Sequence, residues 1–328
     1  MYKILVTGSS GFIAKPLILS LLKNKKVQFI YGVDLKRGGL KNPKFKEFII
    51  DICNKKNLDV FFNENKITHI VHLAARTDLN GKRLIDYKAN FLGLKNLCEC
   101  ILELNIENAI FASTQLVNAI GDKTSNILDH KPDTAYGYSK SIGEFIVSSM
   151  LNEKNWTIFR PTTIWGPGMS LHYKNFLSLL EKNKYFNIGR KKCFKNFGFI
   201  DNTVKQLEYL LLSKDKLFFQ KTIYLCDRRP IEIKKWAIDL ALELGANKPI
   251  TFPYFFANML AQVNEVSSKI LFSKAKYLIP LTNRRLKNIT TAYQFESEDL
   301  WNSCPPSVSY SEAISRTIDW YISKKNNV

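Results

Sequence analysis

The sequence predicts a doubly wound, parallel α/β sheet followed by a smaller, mixed α/β C-terminal domain. Apolar runs alternate with amphipathic stretches through the first half of the 328 residues, and this alternation is typical of strand–helix–strand units in a parallel sheet. A glycine-containing turn, Gly8–Gly11, directly follows the first apolar run. The alternation weakens after Gly168, so we expect two domains, 1–168 and 169–328.

Strands are predicted where apolar residues run almost without interruption, because a sheet covered by helices on both faces buries its strands entirely. In order, these runs are Lys3–Thr7, Val27–Asp34, Phe45–Ile50, Ile67–Ala75, Asn108–Ser113 and Trp156–Arg160. Right-handed crossovers place the carboxyl ends of such strands along one edge of the sheet. A ligand site is therefore expected at that edge.

Helices are predicted where apolar residues recur every three or four positions. These stretches are the segment after Gly11, then Leu58–Asn65, Asp86–Asn105, Asp133–Met150, Phe176–Glu181, Asn202–Leu212, Glu232–Leu244 and Ser311–Ser323. One further strand, Thr222–Cys226, stands alone among the later helices. We expect that this strand could rejoin the sheet of the first domain.

The composition is that of an ordinary globular protein, with 45% hydrophobic and 23% charged residues. No apolar run is long enough to predict an integral membrane segment. The start of the chain leads straight into a strand, so no secretory signal is expected. Six cysteines without a C-x-x-C pair indicate reduced thiols and a cytoplasmic location. Four histidines show no metal-ligand spacing, so no metal is expected.

A net charge of +19 raises the question of nucleic-acid binding. The lysines are scattered along the chain, however, so we expect no nucleic-acid partner. One dense basic cluster extends from Lys182 to Lys195 and includes Arg190 and Lys192. It is compatible with a solvated loop, with attraction of an anionic substrate, or with an acidic membrane surface.

The turn Gly8-x-x-Gly11-x-x-Ala14 follows a strand and opens a helix. Glycine can adopt the positive φ of a tight turn, and the free N–H groups of the helix start attract a pyrophosphate. Asp34 ends the second strand, where a carboxylate accepts hydrogen bonds from ribose hydroxyls and repels a 2′-phosphate. We therefore expect NAD, while two basic residues just after Asp34 leave NADP open.

Tyr136 and Lys140 lie four residues apart in a predicted helix, so their side chains share one face. A tyrosine hydroxyl ionises near pH 10. Lowering its pKa by about three units requires roughly 4 kcal/mol, which a neighbouring ammonium and an oxidised nicotinamide together can supply. Thr114 follows the strand Asn108–Ser113 and is expected to hydrogen-bond the reacting oxygen. The three residues predict a proton-transfer site.

With these motifs the chain resembles the extended short-chain dehydrogenase/reductases of the NAD-dependent epimerase/dehydratase group. The matching segments are Thr7–Ala14, Asp51–Ile52, His72–Ala75, Asn90–Gly93, Ser113–Val117, Pro132–Lys140, Arg160–Pro167 and Phe199–Asn202. The resemblance implies a Rossmann-like fold, a substrate-binding C-terminal domain, and Thr114, Tyr136 and Lys140 as the catalytic residues. The cofactor-binding residues that it implies are Gly8, Ser10, Gly11, Phe12, Ile13, Asp34, Asp51, Ile52, Leu73, Ala74, Ala75, Asn90, Tyr136, Lys140 and Pro161.

Departures from the family's pattern bear on the substrate. Thr163 stands where nucleotide-sugar epimerases carry asparagine, and we expect it, with Arg190 and Lys192, to contact the substrate. Gln115 and Leu116 replace the Asp-Glu pair of the sugar dehydratases, which argues against 4,6-dehydration. The resemblance thus implies alcohol–ketone hydride transfer on a nucleotide sugar, by a 4-epimerase or 4-keto-reductase of surface-polysaccharide biosynthesis.

Two other functions remain open from the sequence. The aromatic stretch 252–272, with Lys269 and Lys274, favours a dehydrogenase of a lipid or sterol-like alcohol at a membrane surface. A non-catalytic, NAD-binding regulatory protein is the other alternative. We also expect a homodimer, formed through the predicted helices Asp86–Asn105 and Asp133–Met150.

Overall fold

The computed structural model describes residues 1–122, 124, 126–270 and 281–326. Lys274, which the sequence associated with a membrane surface, lies outside the described residues. The strands are β1 (Tyr2–Thr7), β2 (Val27–Asp34), β3 (Phe45–Ile49), β4 (His69–His72), β5 (Asn108–Ala112), β6 (Trp156–Pro161), β7 (Thr163–Trp165), β8 (Asn187–Ile188), β9 (Phe194–Lys195), β10 (Phe197–Phe199), β11 (Lys221–Leu225), β12 (Ile231–Glu232) and β13 (Thr251–Phe252).

The helices fall at most of the positions that the apolar periodicity predicts. They are α1 (Ala14–Lys23), α2 (Lys55–Glu64), α3 (Leu94–Glu103), α4 (Ala135–Met150), α5 (Leu171–Glu181), α6 (Ile200–Leu212), α7 (Ile233–Glu243), α8 (Tyr254–Ile270), α9 (Asn283–Thr290), α10 (Glu298–Ser303) and α11 (Tyr310–Asn326). None of the helices among the described residues is long and apolar enough to cross a membrane.

Seven parallel strands form the central sheet, in the order β11–β6–β5–β4–β1–β2–β3. The order reverses direction at β1, which is the mark of a doubly wound sheet. Central strand residues such as Leu5, Val33 and Ile110 are fully buried, as expected for a sheet covered on both faces. The predicted α/β fold class is confirmed.

The predicted helix Asp86–Asn105 is interrupted in the structure. A 3₁₀ turn, Leu84–Tyr87, and a π-helical turn, Ala89–Gly93, precede α3. A Cβ added to Gly93 would lie 2.5 Å from the Cγ1 atom of Ile52, so this turn needs glycine for its close packing. Interruptions of this kind are common beside functional sites, and Asn90 lies in the π-helical turn.

The chain divides into two compact units that are discontinuous in sequence. Unit 1 comprises Met1–Ile164, Gly198–Arg228 and Glu296–Ser307, and unit 2 comprises Trp165–Phe197, Arg229–Phe295 and Val308–Val328. The domains expected from the sequence, 1–168 and 169–328, stay a prediction. Strand β11 pairs in parallel with β6 and so returns the chain to the central sheet, as the sequence allowed.

Unit 2 has its own aromatic core. The Trp236 ring stacks on Phe176 with a centroid distance of 5.1 Å, and it meets Trp165 and Phe197 edge-on. Two short strand pairs, β8 with β13 and β9 with β12, lie beside this core. Unit 2 is therefore a mixed α/β unit.

Candidate active site

The turn after β1 has a conformation that only glycine adopts readily. Gly8 has a φ of +70°, and a Cβ added there would lie 2.7 Å from the backbone nitrogen of Ala74. Its N–H donates to the carbonyl oxygen of Val33 at 2.7 Å, and the Gly11 N–H donates to the carbonyl oxygen of Gly8 at 2.9 Å. The turn is thereby fixed between the ends of β2 and β4.

The start of α1 fits a pyrophosphate group. Its N-cap, Ile13, supplies no side-chain cap, and its first turn contains no acidic residue. Within the described parts of the chain, the backbone N–H groups of Phe12 and Ile13 have no hydrogen-bond acceptor. Free N–H groups at the positive end of a helix dipole are a favourable environment for an anion.

Asp34 lies directly beside this turn. Its Oδ2 atom accepts hydrogen bonds from the Ser10 N–H at 3.0 Å and from the Ser10 hydroxyl at 2.7 Å. Its Oδ1 atom accepts from the Leu35 N–H at 2.7 Å. The carboxylate that the sequence assigned to a ribose therefore also anchors the glycine turn through Ser10.

Asn90 connects the segment after β4 to α4. Its Oδ1 atom accepts from the Arg76 N–H at 2.8 Å, and its Nδ2 group donates to the Arg76 carbonyl oxygen and to the Ser139 hydroxyl oxygen. The Ser139 hydroxyl in turn donates to the Tyr136 carbonyl oxygen at 2.7 Å. The fully buried Asn90 therefore sets the distance between the segment Leu73–Ala75 and the helix that carries Tyr136.

The remaining residues that the sequence assigned to the cofactor or the substrate lie in separate parts of the chain. Asp51 is exposed and accepts from the Cys53 N–H, while Ile52 is buried. Pro161 ends β6, and Thr163 begins β7 in unit 1. Arg190 and Lys192 are exposed residues of unit 2, between β8 and β9.

Tyr136 lies in the first turn of α4, whose N-cap Thr134 accepts a hydrogen bond from the Gly137 N–H at 3.0 Å. The Tyr136 phenol is buried and hydrogen-bonds to Thr114, and its ring lies 5.9 Å from that of Tyr87. Burial raises the pKa of Tyr136 to about 12, against the opposing effect of the Thr114 hydrogen bond. The protein therefore holds this phenol in its protonated form.

The ammonium group of Lys140 forms a hydrogen bond that the sequence did not predict. Its Nζ group donates to the carbonyl oxygen of Ala112 at 2.7 Å. Burial lowers the pKa of Lys140 to about 8, and the nearby charge of Glu144 opposes this shift. Burial of the phenol dominates the pKa of Tyr136 in the protein alone. The expected lowering of that pKa by Lys140 together with an oxidised nicotinamide stays a prediction.

A buried ion-pair network behind these residues was missed from the sequence. Arg160 donates to both carboxylate oxygens of Glu144, from Nε at 2.8 Å and from Nη2 at 2.7 Å. The Ser113 hydroxyl also donates to Glu144, and the Nε2 atom of His130 lies 3.0 Å from the carboxylate. The network thus supports the strand end that precedes Thr114.

The charge state of Glu144 follows from these partners. Burial alone would raise its pKa, but hydrogen bonds from Arg160 and His130 outweigh burial and lower the pKa to about 2. A signal for the pair was present in the sequence, since an arginine within a buried strand requires an acid nearby. Glu144 lies one helical turn after Lys140, which made it the natural candidate.

An anion-binding turn and a phenol–hydroxyl pair thus occur in one unit, at the carboxyl edge of its parallel sheet. This combination defines the class of dinucleotide-dependent α/β enzymes. The sequence profile of the NAD dependent epimerase/dehydratase family matches residues 4–213. The chain belongs to that family, and the predictions of the family and of NAD as its cofactor are confirmed.

Two curated relatives that are similar in sequence to this chain are named for different reactions. A GDP-6-deoxy-D-talose 4-dehydrogenase from Aggregatibacter actinomycetemcomitans is 28% identical over 232 residues, covering 68% of this chain and 74% of that protein. A human dTDP-D-glucose 4,6-dehydratase is 25% identical over 341 residues, covering 97% of this chain and 89% of that protein. The relatives therefore share the family and differ in reaction.

Among solved structures, the fold is similar to that of UDP-glucuronic acid 4-epimerase from Bacillus cereus in complex with NAD. The TM-score is 0.74 at 19% identity, covering 98% of this chain and 99% of that chain. At this level of identity the similarity concerns the fold, and it agrees with the sheet described above.

Proposed function

We propose that this protein is a nucleotide-sugar oxidoreductase or epimerase that transfers hydride at a sugar carbinol or keto carbon. Within that class, a 4-keto-reductase or a 4-epimerase of surface-polysaccharide biosynthesis fits the residues best. The hydrogen-bonded pair of Tyr136 and Thr114 carries the proposal. A buried phenol at the edge of a cofactor-binding sheet is suited to exchange a proton with an alcohol or ketone oxygen.

The chain's own residues have distinct roles in this chemistry. Bound NAD supplies the hydride donor or acceptor. Tyr136 donates a proton to the ketone oxygen during reduction and accepts it from the alcohol during oxidation. Thr114 orients the same oxygen, while Lys140 adds a positive charge beside the pair. The amides of Phe12 and Ile13 and the carboxylate of Asp34 hold the dinucleotide.

The phenol can serve both directions of the reaction. Burial raises the pKa of Tyr136 to about 12, so the phenol carries a proton that it can donate to a ketone. In the oxidation direction, the positive charges of Lys140 and of an oxidised nicotinamide would favour release of that proton. The phenol therefore fits both a 4-keto-reductase and a 4-epimerase.

Dehydration of the sugar is disfavoured, although one relative is named as a 4,6-dehydratase. Gln115 and Leu116 follow Thr114 where an acid–base pair would be required. The nearby carboxylate of Glu144 accepts two hydrogen bonds from Arg160 and is not suited to remove a proton. We therefore propose that the reaction leaves C6 of the sugar unchanged.

Arg190 and Lys192 are proposed to pair with the diphosphate of the nucleotide, and Thr163 to contact the sugar. The proposal for the two cations rests on their charge and exposure. Arg190→Ala and Lys192→Ala should raise KM with little change in kcat, since a charge that pairs with the diphosphate binds substrate and transition state equally.

The decisive experiment incubates the pure protein with a panel of nucleotide sugars and their 4-keto forms, with NADH and with NAD. A keto-reductase consumes NADH in proportion to product, and an epimerase gives a new sugar with no net change in NADH absorbance. Formation of a 4-keto-6-deoxy sugar would contradict the exclusion of dehydration. Lack of any reaction across the panel would contradict the substrate class.

An exposed aromatic face on α8 favours one second candidate, a dehydrogenase of a lipid or sterol-like alcohol. Phe255 has 72% of its surface exposed, which is unusual for phenylalanine in a soluble enzyme. Including a sterol alcohol in the same panel separates the two candidates, because only one substrate class should be converted to product.

We further propose a homodimer formed through the helical segment 84–103 and α4. Phe145 and Tyr138 on α4 are 70% and 57% exposed, and an isologous pair of such faces would cover them. Phe145→Glu should convert a dimer into a monomer in sedimentation velocity, while Leu19→Glu on α1 should not. A wild-type monomer would contradict the proposal.

A further inference from the structure

Over residues 254–263, helix α8 in unit 2 has one buried apolar face and one exposed apolar face. Ala257 and Ala261 pack against Leu286 of α9. On the opposite side, Phe255, Met259 and Val263 are 72%, 46% and 58% exposed. Their spacing of four residues makes a continuous exposed stripe, because residues i and i+4 share a helix face.

Neighbouring residues widen this stripe into a surface. Tyr254 and Phe256 in the first turn of α8 are 49% and 48% exposed, and Ile250 and Phe186 are 66% and 47% exposed. The last two are adjacent because the N–H of Asn187 donates to the carbonyl oxygen of Ile250. We call the set Phe186, Ile250, Tyr254, Phe255, Phe256, Met259 and Val263 the α8 surface.

The charge of the molecule is concentrated in the same unit. Unit 2 has 121 residues with 20 basic and 7 acidic side chains, and unit 1 has 207 residues with 28 and 22. Unit 2 therefore carries +13 of the net charge of +19. Lys184 precedes Phe186 by two residues, Lys248 precedes Ile250 by two, and Lys287 follows Leu286; all three lysines are exposed.

We propose that the α8 surface docks on the interface of an anionic lipid bilayer. Aromatic and aliphatic side chains enter the boundary between headgroups and acyl chains, and surrounding lysines meet acidic headgroups. These are the two signals that peripheral attachment requires, and a spanning helix is not needed. A second copy of the chain fits less well, since it would bring its own charge of +13 to the same contact.

The α8 surface is a place of attachment rather than a part of the chemistry. It contains none of the residues assigned to cofactor or proton transfer, so the proposal does not depend on the proposed reaction. Attachment would place an enzyme of either candidate function at a lipid surface, where an anchored substrate or a membrane-bound partner enzyme is available.

Vesicle co-sedimentation of the full chain tests the proposal. Wild-type protein should pellet with vesicles of phosphatidylcholine and phosphatidylglycerol, and much less with phosphatidylcholine alone. The double variant Phe255→Ser/Met259→Ser should bind at least about tenfold more weakly, because it removes two inserted apolar side chains. Lys184→Glu/Lys248→Glu should weaken binding, and raised salt should weaken it in the wild type.

Matched controls separate attachment from folding and catalysis. Leu242→Ser removes an apolar side chain of α7 that is 49% exposed, and it should bind like the wild type. Tyr136→Phe should also bind normally while losing turnover, so failure of the enzyme proposal is distinguishable from failure of this one. Thermal unfolding should show that the Phe255→Ser/Met259→Ser variant is folded.

Three results would overturn the proposal. The first is wild-type protein that stays in the supernatant with anionic vesicles. The second is equal pelleting of the wild type and the Phe255→Ser/Met259→Ser variant. The third is a wild-type dimer in sedimentation velocity that this variant converts to a monomer, which would assign the α8 surface to a second copy of the chain.

Discussion

Each of the two units contains a buried lysine whose pKa burial lowers to about 8, and the two lysines differ in everything around them. Lys140 in unit 1 donates to the carbonyl oxygen of Ala112, two residues before Thr114. Lys195 in unit 2 donates to the carbonyl and side-chain oxygens of Asn288 and lies 4.4 Å from the centroid of the Tyr293 ring.

The comparison shows that a shifted pKa alone does not mark an active site. Lys195 is held by the backbone and side chain of Asn288, so its ammonium links β9 to α9. Lys140 lies one helical turn after Tyr136, and the carbonyl that it binds precedes Thr114 by two residues. The phenol and the hydroxyl are groups that can act on a substrate. The surroundings, rather than the titration, assign the function.

The largest expected effect separates the two lysines directly. Lys140→Met should lower kcat/KM by about 10²–10⁴-fold, because it removes the charge beside the proton-transfer pair. Lys195→Met should leave kcat/KM close to wild type and lower the melting temperature, since Asn288 loses the hydrogen bonds from the ammonium. Steady-state kinetics and thermal unfolding of both variants provide the check, and equal losses of activity would remove the distinction.

The buried ion pair of unit 1 can be compared with an exposed pair of unit 2. Glu144→Ala leaves Arg160 buried and unpaired and should cost about 3–5 kcal/mol of unfolding free energy. Glu312→Ala breaks the exposed pair with Arg316 and should cost about 0–1 kcal/mol. Urea unfolding measures both, and similar small losses would show that the network around Glu144 is not a structural support.

Two glycines with positive φ provide the next comparison. Gly8→Ala combines an unfavourable φ with a contact of 2.7 Å to the Ala74 backbone, and it should weaken NAD binding by at least about tenfold. Gly245 has a φ of +71° and nothing within 4 Å of an added Cβ, so Gly245→Ala should carry only the backbone strain. Calorimetric titration with NAD should detect the loss in the Gly8 variant alone.

The smallest effect is a shift of the pH profile. Since the pKa of Lys140 is about 8, its charge is present below that pH, and kcat/KM should fall as the pH rises through about 8. Lys140→Arg keeps the charge and should remove this alkaline limb, at a lower maximal rate. Lys195→Met should retain the alkaline fall of kcat/KM. If Lys195→Met removes this fall and Lys140→Arg retains it, the titrating group is Lys195 and not Lys140.

Much of unit 1 was predictable because local patterns dictate it. Continuous apolar runs located its central strands, and the return of the strand Thr222–Cys226 to the sheet followed from its isolated apolar pattern. The glycine turn was recognisable because few residues fit a positive φ next to a backbone neighbour. Tyr136 and Thr114 were predicted to meet because strand ends and helix starts share one edge of a parallel sheet.

Other features depend on tertiary contacts that no local pattern encodes. The predicted helix Asp86–Asn105 is interrupted because Gly93 packs on Ile52, and Asn90 binds residues distant in sequence. Glu144, Arg160 and His130 come from a helix, a strand and a loop, so only the fold brings them together. The pKa of Tyr136 depends on burial, which the spacing of Tyr136 and Lys140 did not reveal.

The central claim is that the Tyr136 phenol exchanges the proton with the reacting oxygen, and one pair of variants tests it most directly. Tyr138 lies two residues later in α4 and is 57% exposed, so Tyr138→Phe is a matched control. Tyr136→Phe should reduce kcat/KM on the active substrate by about 10²–10⁴-fold, with the Kd for NAD close to wild type, while Tyr138→Phe retains turnover. If Tyr136→Phe is as active as Tyr138→Phe, the phenol is not the proton-transfer group, and a binding role for the NAD site becomes the better account.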